Sequence, residues 1–127
     1  MYSLPSKLNG IIRASSGNGR KIGYPTANLN TETTLRDGVY FGYANLNKFK
    51  DNPALIFIGA PITLGDKKRR IEAHLLGVPD VDYYGSELQL EIITFRRPNQ
   101  KFSSAEELIK AMRADEVAAN KWFAKHR

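Results

Sequence analysis

Apolar and polar residues alternate along most of the first three quarters of the chain. Residues 8–13, 38–46, 54–58, 70–76 and 87–95 are short runs rich in Ile, Val, Tyr and Phe, with turn-forming residues between them, and they read as β-strands. The last run is the clearest. Leu88, Leu90 and Ile92 interleave with Glu87, Gln89 and Glu91, a period of two that gives a strand one dry face and one wetter face. Several such strands in succession predict an antiparallel sandwich or barrel. From Ser103 the period changes: Leu108, Ile109, Met112, Ala119, Trp122 and Phe123 recur at helical spacing and predict one amphipathic helix over 104–125. Ser103 and Glu106 stand three apart, as a capping box requires. Asp115 falls on the apolar stripe, where a carboxylate needs donors, and is expected to hydrogen-bond to a loop.

No internal repeat, low-complexity stretch or linker interrupts the pattern, so residues 1–127 are expected to form a single domain. The absence of cysteine excludes disulfides and thiolate zinc sites, and two histidines, His74 and His126, are too few for a histidine metal cage. A reducing, cytoplasmic setting fits that usage. No run of about 18 apolar residues is present, which argues against a membrane span or signal peptide. Nineteen Lys and Arg against thirteen Asp and Glu give a net charge of +6, which favours an anionic partner without choosing among nucleic acid, lipid and nucleotide.

Candidate chemistry sits between and on the strands. Gly17, Gly19 and Gly23, with Arg20 and Lys21, form a glycine-rich basic segment ending in Thr26 and Asn28. Glycines let amides approach phosphate oxygens closely, and Thr26 and Asn28 offer the hard oxygens Mg²⁺ accepts. No helix follows the glycines, so the segment is neither a Walker loop nor a dinucleotide fingerprint. On spacing alone a plain turn is the commoner reading of such glycines. In residues 70–76, Ile71, Ala73 and Leu75 share one face, and Glu72 and His74 the other. Glu72 reads either as a solvated glutamate paired across strands or as a general base; His74 reads as structural. Lys67, Lys68, Arg69 and Arg70 form a basic run most simply placed at a solvated hairpin tip, with nucleic-acid contact as the alternative. Arg96, Arg97, Lys101 and Phe102, just before the helix, are either a polar loop with an aromatic staple or a cation and ring that pack on a planar ligand.

Taken in order, these segments resemble the riboflavin kinase family. The resemblance rests on Gly17 to Asn28, Gly38-Val39-Tyr40, Ile58-Gly59, Ile71 to Leu76, Asp82-Tyr83-Tyr84-Gly85, and Arg97 to Leu108 followed by Asp115. The sequence departs from the family pattern at Ala14, Ser15 and Ser16, at Asn99 and in the loop from Ile58 to Thr63. The resemblance implies a six-stranded antiparallel Greek-key β-barrel with a C-terminal α-helix. It implies transfer of the γ-phosphoryl group of ATP to riboflavin, giving FMN, with Mg²⁺ or Zn²⁺. By position it implies Glu72 as the base and Thr26 and Asn28 at the metal. Gly17, Gly19, Arg20, Gly23, Thr26, Leu75, Gly77 and Tyr84 would lie along the nucleotide, and Arg97, Lys101 and Phe102 over the flavin. It further implies a cytoplasmic monomer acting on small molecules, with neither nucleic acid nor membrane as partner.

Overall fold

The computed structural model describes residues 4–13, 27–60, 68–79 and 83–126. Among them are six strands, β1 (Ser6–Arg13), β2 (Ala27–Leu29), β3 (Gly38–Leu46), β4 (Phe49–Gly59), β5 (Arg70–Leu75) and β6 (Glu87–Pro98), and one helix, α1 (Ala105–Lys125). All neighbouring strands are antiparallel, and the order β1-β2-β5-β4-β3-β6 closes on itself because β6 pairs with β1. The consecutive strands β3, β4 and β5, with β6 returned beside β3, form a Greek key.

The alternation read from the sequence is what closure requires, since a barrel wall must present one face inward along every strand. Inward residues include Ile12, Leu29, Tyr40, Ile56, Ile71 and Leu90, each almost entirely buried. Leu35, from the connection after β2, enters the same core. That connection is held down by Arg69. Its guanidinium donates to the carbonyl oxygens of Thr33 (2.7 Å) and Leu35 and pairs with Asp37 at 2.7 Å. Arg69 is therefore not the free cation of a solvated hairpin tip. It ties the residues before β5 to the segment that plugs the barrel. Lys67 lies outside the described residues, and Arg70 is the first residue of β5.

Outside the wall, Phe41 of β3 packs against Ala119 and Phe123. The Phe123 ring lies 6.1 Å from that of Phe41 and 5.3 Å from that of Tyr43, and Trp122 lies 5.9 Å from Phe41. Phe41 and Tyr43 are alternate residues of β3 and so face the same way, which lets both rings meet Phe123 of α1.

The structure adds to the pattern in three places. Strand β2 is only three residues long and lies in a stretch rich in turn formers. Strand β4 extends back through Asp51, Asn52 and Pro53, residues that locally disfavour a strand. The helix cap sits one residue later than the Ser103 and Glu106 pair. Ser104 is the N-cap and its hydroxyl accepts from the Glu107 amide at 3.2 Å, while the Ser103 amide donates to the Glu107 carboxylate at 3.4 Å. The sequence contains both Ser-x-x-Glu pairs, and the later one is used.

Candidate active site

Strand β5 runs through the middle of the site. Ile71, Ala73 and Leu75 face the core and turn Glu72 and His74 outward. In the sheet register Glu72 stands opposite Asn28 of β2 on one side and Phe57 of β4 on the other. Residues directly opposite share a face, with Cβ atoms about 4.5–5.5 Å apart. A carboxylate, a neighbouring amide oxygen and an aromatic ring are thus set side by side on the outer wall. Asn28 is buried although it points away from the core. The row continues from Phe57 to Val39 of β3 and then to Arg97 of β6.

At Arg97 the row meets α1. Register shifts between β3 and β6 leave Arg96 without a cross-strand partner, because Tyr40 pairs with Phe95 and Val39 with Arg97. Successive side chains of a regular strand point to opposite faces, whereas a bulge lets two of them turn the same way. Both arginines accordingly reach one carboxylate. Arg97 donates from Nε and Nη2 to the two oxygens of Asp115, at 2.9 and 2.8 Å, and Arg96 Nε lies 3.3 Å from Asp115 Oδ1. Asp115 is 3% exposed. The guanidinium carbon of Arg97 stands 5.6 Å from the centre of the Phe102 ring. The carboxylate on the apolar stripe of α1 is therefore satisfied by the end of β6 rather than by a loop.

The other anticipated residues divide into three groups. Gly17, Gly19, Arg20, Gly23 and Thr26 lie outside the described residues. Leu75 has its side chain in the barrel core, so only its backbone could face a ligand on the outer wall. Gly77 has φ +74° in the turn after β5 with open space where a Cβ would project, and Tyr84 is half exposed in a turn pinned to β1 by the Gly85 amide, which donates to the Ile12 carbonyl. Lys101 is exposed and Phe102 half-buried in the segment between β6 and α1. His74 stands opposite Leu55. Asn99, at a departure from the family pattern, donates to the Ala60 carbonyl at 3.2 Å and so links the ends of β4 and β6. Phe57 escaped the sequence reading, although the inward Ala54, Ile56 and Ile58 already implied that Leu55 and Phe57 face out.

An oxygen donor beside a carboxylate suits a hard divalent cation that keeps several waters and takes further oxygens from a phosphate. No cluster of three or more His, Cys, Asp or Glu side chains exists among the described residues. No helix among them is long and apolar enough to cross a membrane.

Comparison with known proteins gives the family and the fold. A family model described as Flavokinase: Riboflavin kinase matches residues 2–123. The chain is 36% identical over 124 residues to the trifunctional protein RibF/MnmA of Mycoplasmoides gallisepticum, covering 95% of this chain and 19% of that protein. It is 30% identical over 128 residues to the riboflavin kinase of Mus musculus, covering 95% of this chain and 83% of that one. The chain thus spans a minor part of one relative and most of the other. The crystal structure of riboflavin kinase from Trypanosoma brucei has the same fold, with a TM-score of 0.71 over 94% of this chain and 80% of that one at 19% identity.

Proposed function

Because the chain belongs to the riboflavin kinase family, we propose that it transfers the γ-phosphoryl group of ATP to the ribityl 5′-hydroxyl of riboflavin, with Glu72 as general base. The observation that carries the reading is the register of β2, β5 and β4, which sets Glu72 between Asn28 and Phe57 on the outer wall. In the reaction the 5′-oxygen forms a bond to the γ-phosphorus and the bond to the bridging oxygen breaks, releasing ADP. The hydroxyl proton passes to the Glu72 carboxylate. Such transfers are governed by positioning and charge neutralisation, which is what a rigid wall of strands supplies.

Asn28, together with Thr26, would hold the divalent metal, Mg²⁺ or Zn²⁺, which when bound neutralises phosphate charge. Gly17, Gly19, Arg20, Gly23, Gly77 and Tyr84 are assigned to the nucleotide, with the backbone at Leu75. Arg97, Lys101 and Phe102 are assigned to the flavin ring. Small molecules in a cytoplasmic setting, with a monomeric chain and no nucleic acid, complete the reading. The purified chain given riboflavin, ATP and a divalent metal should form FMN, separable by chromatography, and should stop when the metal is chelated. Riboflavin binding without any FMN would leave a flavin-binding module in place of a kinase.

A further inference from the structure

We propose that Asp115 is a positioning residue for the flavin side of the site, holding Arg97 so that it presents its guanidinium plane, rather than its hydrogen-bond donors, to the ligand. The inference rests on the kinase reading above and goes beyond it, since nothing in that reading gives Asp115 a role.

A guanidinium can recognise a ligand through its in-plane donors and charge or through its flat face. The structure separates these. Nε and Nη2 are taken up by the two Asp115 oxygens, and Nη1 leans on the Pro98 carbonyl at 3.4 Å. The charge is met by a carboxylate whose side chain is only 4% exposed, whereas that of Arg97 keeps 18% exposure. An arginine matched in this way is poorly suited to a phosphate, which would compete with a buried carboxylate for the same donors. Its plane remains, with the Phe102 ring at 5.6 Å. A fork fixed at two points also fixes the orientation of that plane, which a single hydrogen bond would leave free to swing. The ligand chemistry that fits is a neutral, planar aromatic ring.

The pair is anchored through an unusual backbone. The bulge at Arg96 brings a second cation to the same carboxylate, with Arg96 Nε at 3.3 Å. Asp115 is thereby held from β6 at two successive residues, which ties α1 to the end of β6.

The experiment measures riboflavin and ATP Michaelis constants, kcat, equilibrium riboflavin binding by flavin fluorescence and thermal melting for the parent, R97K, D115N and the double variant. R97K keeps a charge for Asp115 and loses the plane, so its riboflavin KM and Kd should rise about tenfold. Its ATP KM should stay within about twofold of the parent. D115N should reproduce that selective loss although Asp115 does not touch the ring. The double variant should be no worse than R97K alone, because the two changes remove one device. A residue that merely stabilised the fold would lower the active fraction and leave both Michaelis constants alone. That outcome, or additive effects in the double variant, overturns the proposal. If D115N does not fold, D115E, which keeps the charge and displaces the fork, takes its place: an unchanged riboflavin KM overturns the proposal and a selective rise supports it. A parent that neither binds riboflavin nor forms FMN overturns the kinase reading, and this inference with it; a competent parent matched by R97K overturns the inference alone.

Discussion

Glu72 has Asn28 opposite it on β2 and Phe57 opposite it on β4. If its carboxylate accepts the ribityl proton, replacing it with an isosteric amide removes that step and little else. We expect Glu72→Gln to lower kcat by about 10² to 10⁴, the usual worth of a positioned base, with both substrate affinities nearly unchanged. A glutamate that only pairs across strands would instead cost stability of about 0.2–1 kcal/mol and leave turnover alone. Steady-state kinetics with an independent binding measurement tells the two apart. The outward direction of Glu72 was legible in the alternation of Ile71, Ala73 and Leu75. Its neighbours were not. Which residues flank Glu72 is decided by register between distant segments, and no local pattern contains that information.

At the scale of elements, the helix cap and the plug show how tertiary fit selects among local possibilities. Two Ser-x-x-Glu pairs overlap before α1, and each could start a helix in isolation. The one used leaves Asp115, Ala119 and Phe123 as the buried residues of α1. The presence of a cap was legible in the sequence, but the Ser103 and Glu106 pair places it one residue too early. Hydrogen bonds from the Ser103 hydroxyl and amide hold the Glu107 carboxyl below its ordinary value of 4.5. A depressed acid stabilises the fold above its unfolded pKa and loses that contribution as pH falls through the folded value. The melting temperature of the parent should accordingly exceed that of Glu107→Gln at neutral pH, and the difference should shrink on acidification below 4.5. Melts at several pH values would show it, and a gap that persists in acid would contradict the assignment. Strand β2 was hidden for a different reason: three residues among turn formers are too few to display a period, and they are strand only because β1 and β5 pair with them. Arg69 was legible as a charge and illegible as a clamp. Its ion pair with Asp37 is substantially exposed and contributes little. Its bonds to the Thr33 and Leu35 carbonyls contribute more. Arg69→Met should cost about 1–3 kcal/mol in a urea titration, and a silent substitution would return the residue to the solvent.

For the molecule as a whole, a net charge of +6 leaves nucleic acid as the obvious alternative ligand. Several of the cations have partners within the fold: Arg69 on the plug, Arg36 with its guanidinium carbon 3.7 Å from the centre of the Phe95 ring, and Arg96 and Arg97 on Asp115. The ion-paired ones, Arg69, Arg96 and Arg97, release few counterions on binding a polyanion, and counterion release drives non-specific nucleic-acid affinity. Oligonucleotide binding should be weak at physiological salt; a steep loss of strong binding with rising salt would count against the kinase reading. The alternation predicted an antiparallel sandwich or barrel, and the family resemblance implied the barrel; its closure lies in no local pattern, since pairing β1 with β6 joins residues 6–11 to residues 87–92. That closure also sets a timetable. On a ribosome the chain emerges from its N-terminus, and β1 must wait for its partner until β6 has been made. Until then the edges of β1 and β3 that β6 will cover stay open to other strands, in the newborn chain and in any fragment that stops short of β6. Synthesis, more than the finished fold, is therefore the stage at which this barrel is exposed to aggregation.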